Sequence, residues 1–92
     1  MRSEVMWFAH QMQKKLDQRM ADKTGWLRTH NKELMARMMD EVEELLEAMQ
    51  HAYKPDLDLE ETRGAFDDML RECVDVANFA MMIADKCRLV LA

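Results

Sequence analysis

The chain has 92 residues, a formal net charge of −5, two cysteines, two glycines and one proline. That length is one domain near the lower limit for a self-sufficient core, and its Met, Leu, Ala, Glu, Lys and Arg content favours helix over sheet. The acidic balance excludes a duplex-binding surface, which needs clustered Lys and Arg.

The elements read as three helices. The first opens after Ser3, with Glu4 in its first turn and Val5, Phe8/Ala9, Met12, Leu16 and Met20 at helical spacing. The stretch Asp22-Lys23-Thr24-Gly25-Trp26 ends it, with Gly25 as the breaker. A second helix runs from about Asn31 to Tyr53, and Met35, Met38, Val42, Leu45, Met49 and Ala52 form its packing seam. Lys54-Pro55 stops it, since proline disfavours helix in the residue before it. Asp58 caps a third helix whose seam is Phe66, Leu70, Cys73, Ala77, Ala80, Ala84, Cys87 and Leu91, with Gly64 marking a bend or break. Short links imply an all-α antiparallel helical bundle, and so small a chain is expected to complete its core by homo-oligomerisation.

Cys73 and Cys87 are fourteen positions apart on one helix, about 21 Å, too far to bridge each other. With no cysteine framework, no signal segment in the opening MRSEVMWFAH and an apolar C-terminal run broken by Asp75, Asp85, Lys86 and Arg88, a cytoplasmic location away from membranes is expected.

Chemistry concentrates in the carboxylates. Asp40, Glu41, Glu43, Glu44 and Glu47 fall within eight residues, and like charges at i,i+4 cost roughly 0.2–0.5 kcal/mol each in an exposed helix. A helical wheel sends Glu43 and Glu47 outward and leaves Glu41 and Glu44 as an edge pair beside the seam. Glu72 and Asp75 repeat the spacing on the third helix, with Phe79 and Met82 as neighbours, so that face is expected to be covered by a ligand or another subunit. Four acids facing one another recruit a divalent cation, and oxygen-only ligands suit Mg²⁺ or Mn²⁺ over zinc. No Glu-x-x-His signature of a di-iron bundle, Gly-rich phosphate loop or nucleophilic triad is evident.

The pattern Asp40-Glu41-Val42-Glu43-Glu44-Leu45, followed by Glu72-Cys73-Val74-Asp75, resembles the signature of the MazG-type all-α nucleoside triphosphate pyrophosphatases. Gly25-Trp26-Leu27-Arg28 leading into the acidic helix is similar to that family's tryptophan-containing linker, and the ending DVANFAMMIADK resembles its short phage-type members. The resemblance implies Mg²⁺-dependent hydrolysis of a nucleoside triphosphate to monophosphate and pyrophosphate by a homodimer or homotetramer. It further implies Glu41, Glu44, Glu72 and Asp75 as metal ligands, Phe79 and Trp26 packing on the base, and His30 and Lys23 as polar pocket residues. Asn78 either contacts substrate or caps an inter-helix hydrogen bond. Asp40 replaces the family's first Glu. The family's further pocket helix is not evident after the third one, so phosphate contacts are expected from Lys14, Lys15, Arg19, Lys23 or a partner subunit. The competing expectation is a non-enzymatic module that dimerises through the Phe79/Met82 face.

Overall fold

The computed structural model describes residues 1–19 and 25–92. Among them are α1 (Ser3–Arg19), α2 (Asn31–Ala52), α3 (Leu59–Leu91) and one short 3-10 segment, Gly25–Arg28, with no strand. At about 1.5 Å per residue the 33 residues of α3 span roughly 50 Å, which is the long dimension of the molecule, 50 Å. α3 is therefore the spine on which everything else lies. No helix among the described residues is long and apolar enough to cross a membrane.

Local chemistry sets the helix starts. Asp58 accepts from the Glu61 backbone N–H at 2.7 Å, and the Glu61 carboxylate accepts from the Asp58 N–H at 3.4 Å, a reciprocal capping box. α2 starts on an unusual cap: His30 Nδ1 accepts from the Lys32 N–H at 3.1 Å. Gly64 does not break α3, which continues through it, and a Cβ there would meet nothing within 4 Å.

Three pairings fix the direction of α2 against α3. Tyr53 meets Phe66 edge to face at 5.4 Å, Glu41 meets Glu72 and Asp75, and Leu34 shares a cavity with Met82. Rising numbers on one helix meet falling numbers on the other, so the two are antiparallel. Lys15 with Asp75 and Met12 with Asn78 make α1 antiparallel to α3 as well. α1 and α2 thus run the same way, both antiparallel to α3. The 3-10 segment is fastened to the C-terminal half of α3: the Trp26 indole N–H donates to Asp85 at 3.0 Å, and Lys86 Nζ donates to the Thr29 carbonyl.

The packing seams also differ in phase from expectation. α2 turns Leu34, Met38, Glu41, Leu45, Ala48 and Ala52 inward, whereas Met35, Val42 and Met49 are exposed. On α3 the buried positions are Ala65, Val74, Asn78 and Met82, while Phe66, Ala80, Ala84 and Cys87 face out. α2 carries two apolar stripes at helical spacing, and periodicity does not say which one packs; the inward one contains Glu41, which disguised it. The outward one, Met35, Met39, Val42, Leu46, Met49 and Tyr53, steps by four and three along the whole helix. Surface area matches that excess: 7070 Å² is exposed, against about 5,600 Å² for a compact monomer of this mass.

Candidate functional site

The inward phase of α2 brings Glu41 over Glu72 and Asp75 of α3. One oxygen from each lies within 4.8 Å of the others, all three residues being half-buried. Glu41 Oε2 and Glu72 Oε2 are buried without a hydrogen-bond partner. Burial pushes the Glu41 carboxyl up to about 8, helped by hydrogen bonding to Glu72 and Glu44 and by the charges of Asp75 and Glu44. Burial also raises the Glu72 carboxyl, against a hydrogen bond from Glu41 that lowers it, with the Glu44 charge adding to the rise. Glu44 stands at the exposed edge of this cluster, one turn along α2.

Such a cluster matches the demands of a hard cation. Ligand oxygens about 2.1 Å from Mg²⁺ in octahedral geometry are separated by roughly 3–4 Å, so carboxylates within 4.8 Å close onto one ion with small movements. The two partnerless oxygens supply acceptors that nothing in the described chain uses. Glu41, Glu72 and Asp75 fit Mg²⁺ or Mn²⁺ by this measure, with Glu44 within reach of the rim.

Two recesses meet at the acids. One is a groove lined by Glu44, Glu47, His51, Asp68, Arg71 and Glu72. The other is a cavity of about 560 Å³ whose walls include Trp26, Leu34, Asn78, Phe79 and Met82. Lys15, Glu41 and Asp75 line both, so the carboxylates sit where the recesses join. The cavity volume lies in the range, about 300–1,000 Å³, typical of small-molecule sites.

Each expected site residue has a definite place except Lys23, which lies outside the described residues, as do Met20, Asp22, Thr24 and the side chain of Arg19. Trp26 and Phe79 line the cavity. Asn78 makes the expected inter-helix hydrogen bond, its Nδ2 donating to the Met12 carbonyl at 3.4 Å across to α1, and it also borders the cavity. His30 is exposed and spends Nδ1 on the α2 cap, outside the cavity wall. On the Phe79/Met82 face Met82 is buried and Phe79 half-buried, and both line the cavity together with residues of α1, α2 and the 3-10 segment.

Sequence reasoning passed over two groups. Arg37 reaches the cavity wall while pairing with Glu33 at 2.7 Å, and Asp68 borders the groove. Each lies one turn before an acid of the cluster, Arg37 before Glu41 and Asp68 before Glu72, so the wheel that selected those acids places them on the same side. Lys15, one of several candidate basic residues, is the one that pairs with Asp75, at 3.1 Å.

No protein-family model, curated protein or solved structure matches the chain.

Proposed function

We propose that the chain is a MazG-type pyrophosphohydrolase that uses Mg²⁺ to hydrolyse a nucleoside triphosphate to monophosphate and pyrophosphate as a homo-oligomer. One observation carries this reading: three carboxylates, two of them with an unclaimed buried oxygen, converge at the mouth of an aromatic-walled cavity of nucleotide size.

Each part of the site has a task. Glu41, Glu72 and Asp75 hold the cation, with Glu44 joining from the rim. When bound, Mg²⁺ supplies positive charge against the phosphates and an acidified water, neither of which four acids offer alone. Trp26 and Phe79 give the base flat apolar surface, since the indole N–H is already committed to Asp85. Lys15 and Arg37 are the cations on the cavity wall and serve the phosphate chain. The water oxygen joins the α-phosphorus, and pyrophosphate leaves with the electron pair of the broken anhydride bond. No covalent intermediate is required.

Oligomerisation rests on the outward stripe of α2. A dimer that buries it removes a continuous apolar face, including Met39 at 54% and Leu46 at 55% exposure. The radius of gyration of 15.2 Å, against about 12 Å for a compact chain of this length, fits a protomer that shares its core.

The same stripe favours the second reading, a non-enzymatic dimerisation module. Pyrophosphate release from the common ribo- and deoxynucleoside triphosphates with Mg²⁺ separates the two. Turnover by the wild type, and a loss of at least about 100-fold in Asp75→Asn and Glu72→Gln with helicity retained, supports the enzyme. A folded wild type that releases no pyrophosphate, and shows no Mg²⁺ binding by calorimetry, leaves the module.

A further inference from the structure

Asn78 is the one polar residue buried outright in the described chain, at 4% exposure, and half of its amide is unused. Its Nδ2 donates to the Met12 carbonyl. Rotating the amide by 180° would set Oδ1 against that carbonyl, two acceptors face to face, so Met12 fixes which end is which. Oδ1 is left buried without a hydrogen-bond partner, in a residue that borders the cavity together with Trp26 and Phe79. A buried amide oxygen without a partner is costly, by the full desolvation of the group.

The other polar groups of the wall are largely committed. Trp26 Nε1 serves Asp85, Thr29 Oγ1 donates to the Gly25 carbonyl at 3.4 Å, Lys15 serves Asp75 and Arg37 serves Glu33. Glu41 belongs to the acid cluster. Away from the carboxylates, Asn78 Oδ1 is thus the acceptor held in reserve, set among aromatic and aliphatic walls.

We infer that Asn78 is the specificity-determining residue of the cavity, its Oδ1 accepting a hydrogen bond from an N–H or amino group on the edge of a nucleobase lodged with Trp26 and Phe79. The inference rests on the nucleotide reading above and deepens it. Flat apolar walls hold any base, whereas a fixed, desolvated acceptor discriminates, because a ligand without a matching donor leaves it unpaired. Its Nδ2 bond to α1 holds the reading edge in one orientation, so discrimination does not depend on a mobile side chain.

Calorimetry with the full chain and the four deoxynucleoside monophosphates, with pyrophosphate release measured in parallel, tests this. The base bound tightest is compared with its analogue methylated on the edge nitrogen. Wild-type protein is expected to bind the methylated analogue about 10- to 100-fold more weakly. Asn78→Leu is expected to bind parent and analogue within about twofold of each other. Asn78→Ala leaves room for the added methyl and separates a lost hydrogen bond from a clash; it too should lose the preference. Equal binding of parent and methylated analogue by wild type overturns the inference, as does a preference that persists in both variants or the absence of any monophosphate binding. Edge-dependent binding without pyrophosphate release sustains the inference and removes the hydrolytic reading; release without edge dependence does the reverse.

Discussion

Replacing Glu41 by Gln removes one charge from the acid cluster while keeping its size and a hydrogen-bonding tip. The wild-type carboxyl is raised by burial and its acidic neighbours from 4.5 to about 8, so between those values the folded protein holds a proton that the unfolded chain has released. The stabilisation is complete below about pH 4.5, declines through the window and is gone above about pH 8. Metal-free protein should therefore lose stability as pH rises from 5 to 8. Carboxylate oxygens within 4.8 Å of one another repel, but Glu41 is only partly buried and solvent screening discounts the effect to the order of 1 kcal/mol. For a domain of this size that is about 4–8 °C in Tm. Thermal unfolding followed by circular dichroism in EDTA, at fixed protein concentration from pH 5 to 9, measures it. Glu41→Gln should show a flatter profile and exceed the wild type at pH 8. Saturating Mg²⁺ should reverse the order, adding about 2.7 kcal/mol to wild type at one hundred times Kd and much less to the variant. A wild-type profile that is flat or rises between pH 5 and 8, or a variant with the same slope, would refute the reasoning that these acids are pressed together.

Three further outcomes test the scaffold. Gly64→Ala should raise stability by about 1 kcal/mol in chemical denaturation, because the site is mid-helix and the added methyl meets nothing within 4 Å; a destabilised variant would show that a partner packs there. Leu46→Glu, on the outward stripe, should abolish the proposed self-association in sedimentation without unfolding the chain, and a mass equal to that of the wild type would refute an interface there. Asp58→Ala should cost about 1 kcal/mol by removing the α3 cap, read as a drop in Tm of several degrees.

Helix number and most boundaries were legible because capping and breaking are local. Asp58 announces α3 within four residues, and Lys54-Pro55 ends α2. The start of α2 was placed correctly while its cap, His30, was assigned to the pocket, since histidine is an uncommon cap and its ring nitrogen imitates one only in the right backbone setting. Seam phase was not legible. The expected α2 seam straddled two stripes, with Met38, Leu45 and Ala52 turned inward and Met35, Val42 and Met49 exposed, because the line that packs on α3 contains Glu41 and the buried line of α3 contains Asn78. Those two residues break the hydrophobic pattern at the cavity wall, Glu41 where the recesses meet and Asn78 beside Phe79 and Met82, and the same conflict with burial that hid the seam marks the candidate site. The spacing of Glu41, Glu72 and Asp75 could be read as a pair of i,i+3 edges; their meeting within 4.8 Å depends on the antiparallel register, which only the fold supplies.

The attachment of α1 has its own consequence. None of its described side chains is fully buried, and two of its ties to the spine are Lys15 to Asp75 and the Met12 carbonyl to Asn78. Both anchors belong to the residues around which the recesses are built. Anything that draws Lys15 away from Asp75 slackens the grip on the whole N-terminal rod, and anything that steadies Asn78 tightens it. The same helix bears a half-exposed indole, Trp7, so a change in its emission on addition of Mg²⁺ or a nucleotide is the expected sign that the Lys15 or Asn78 tie has been altered.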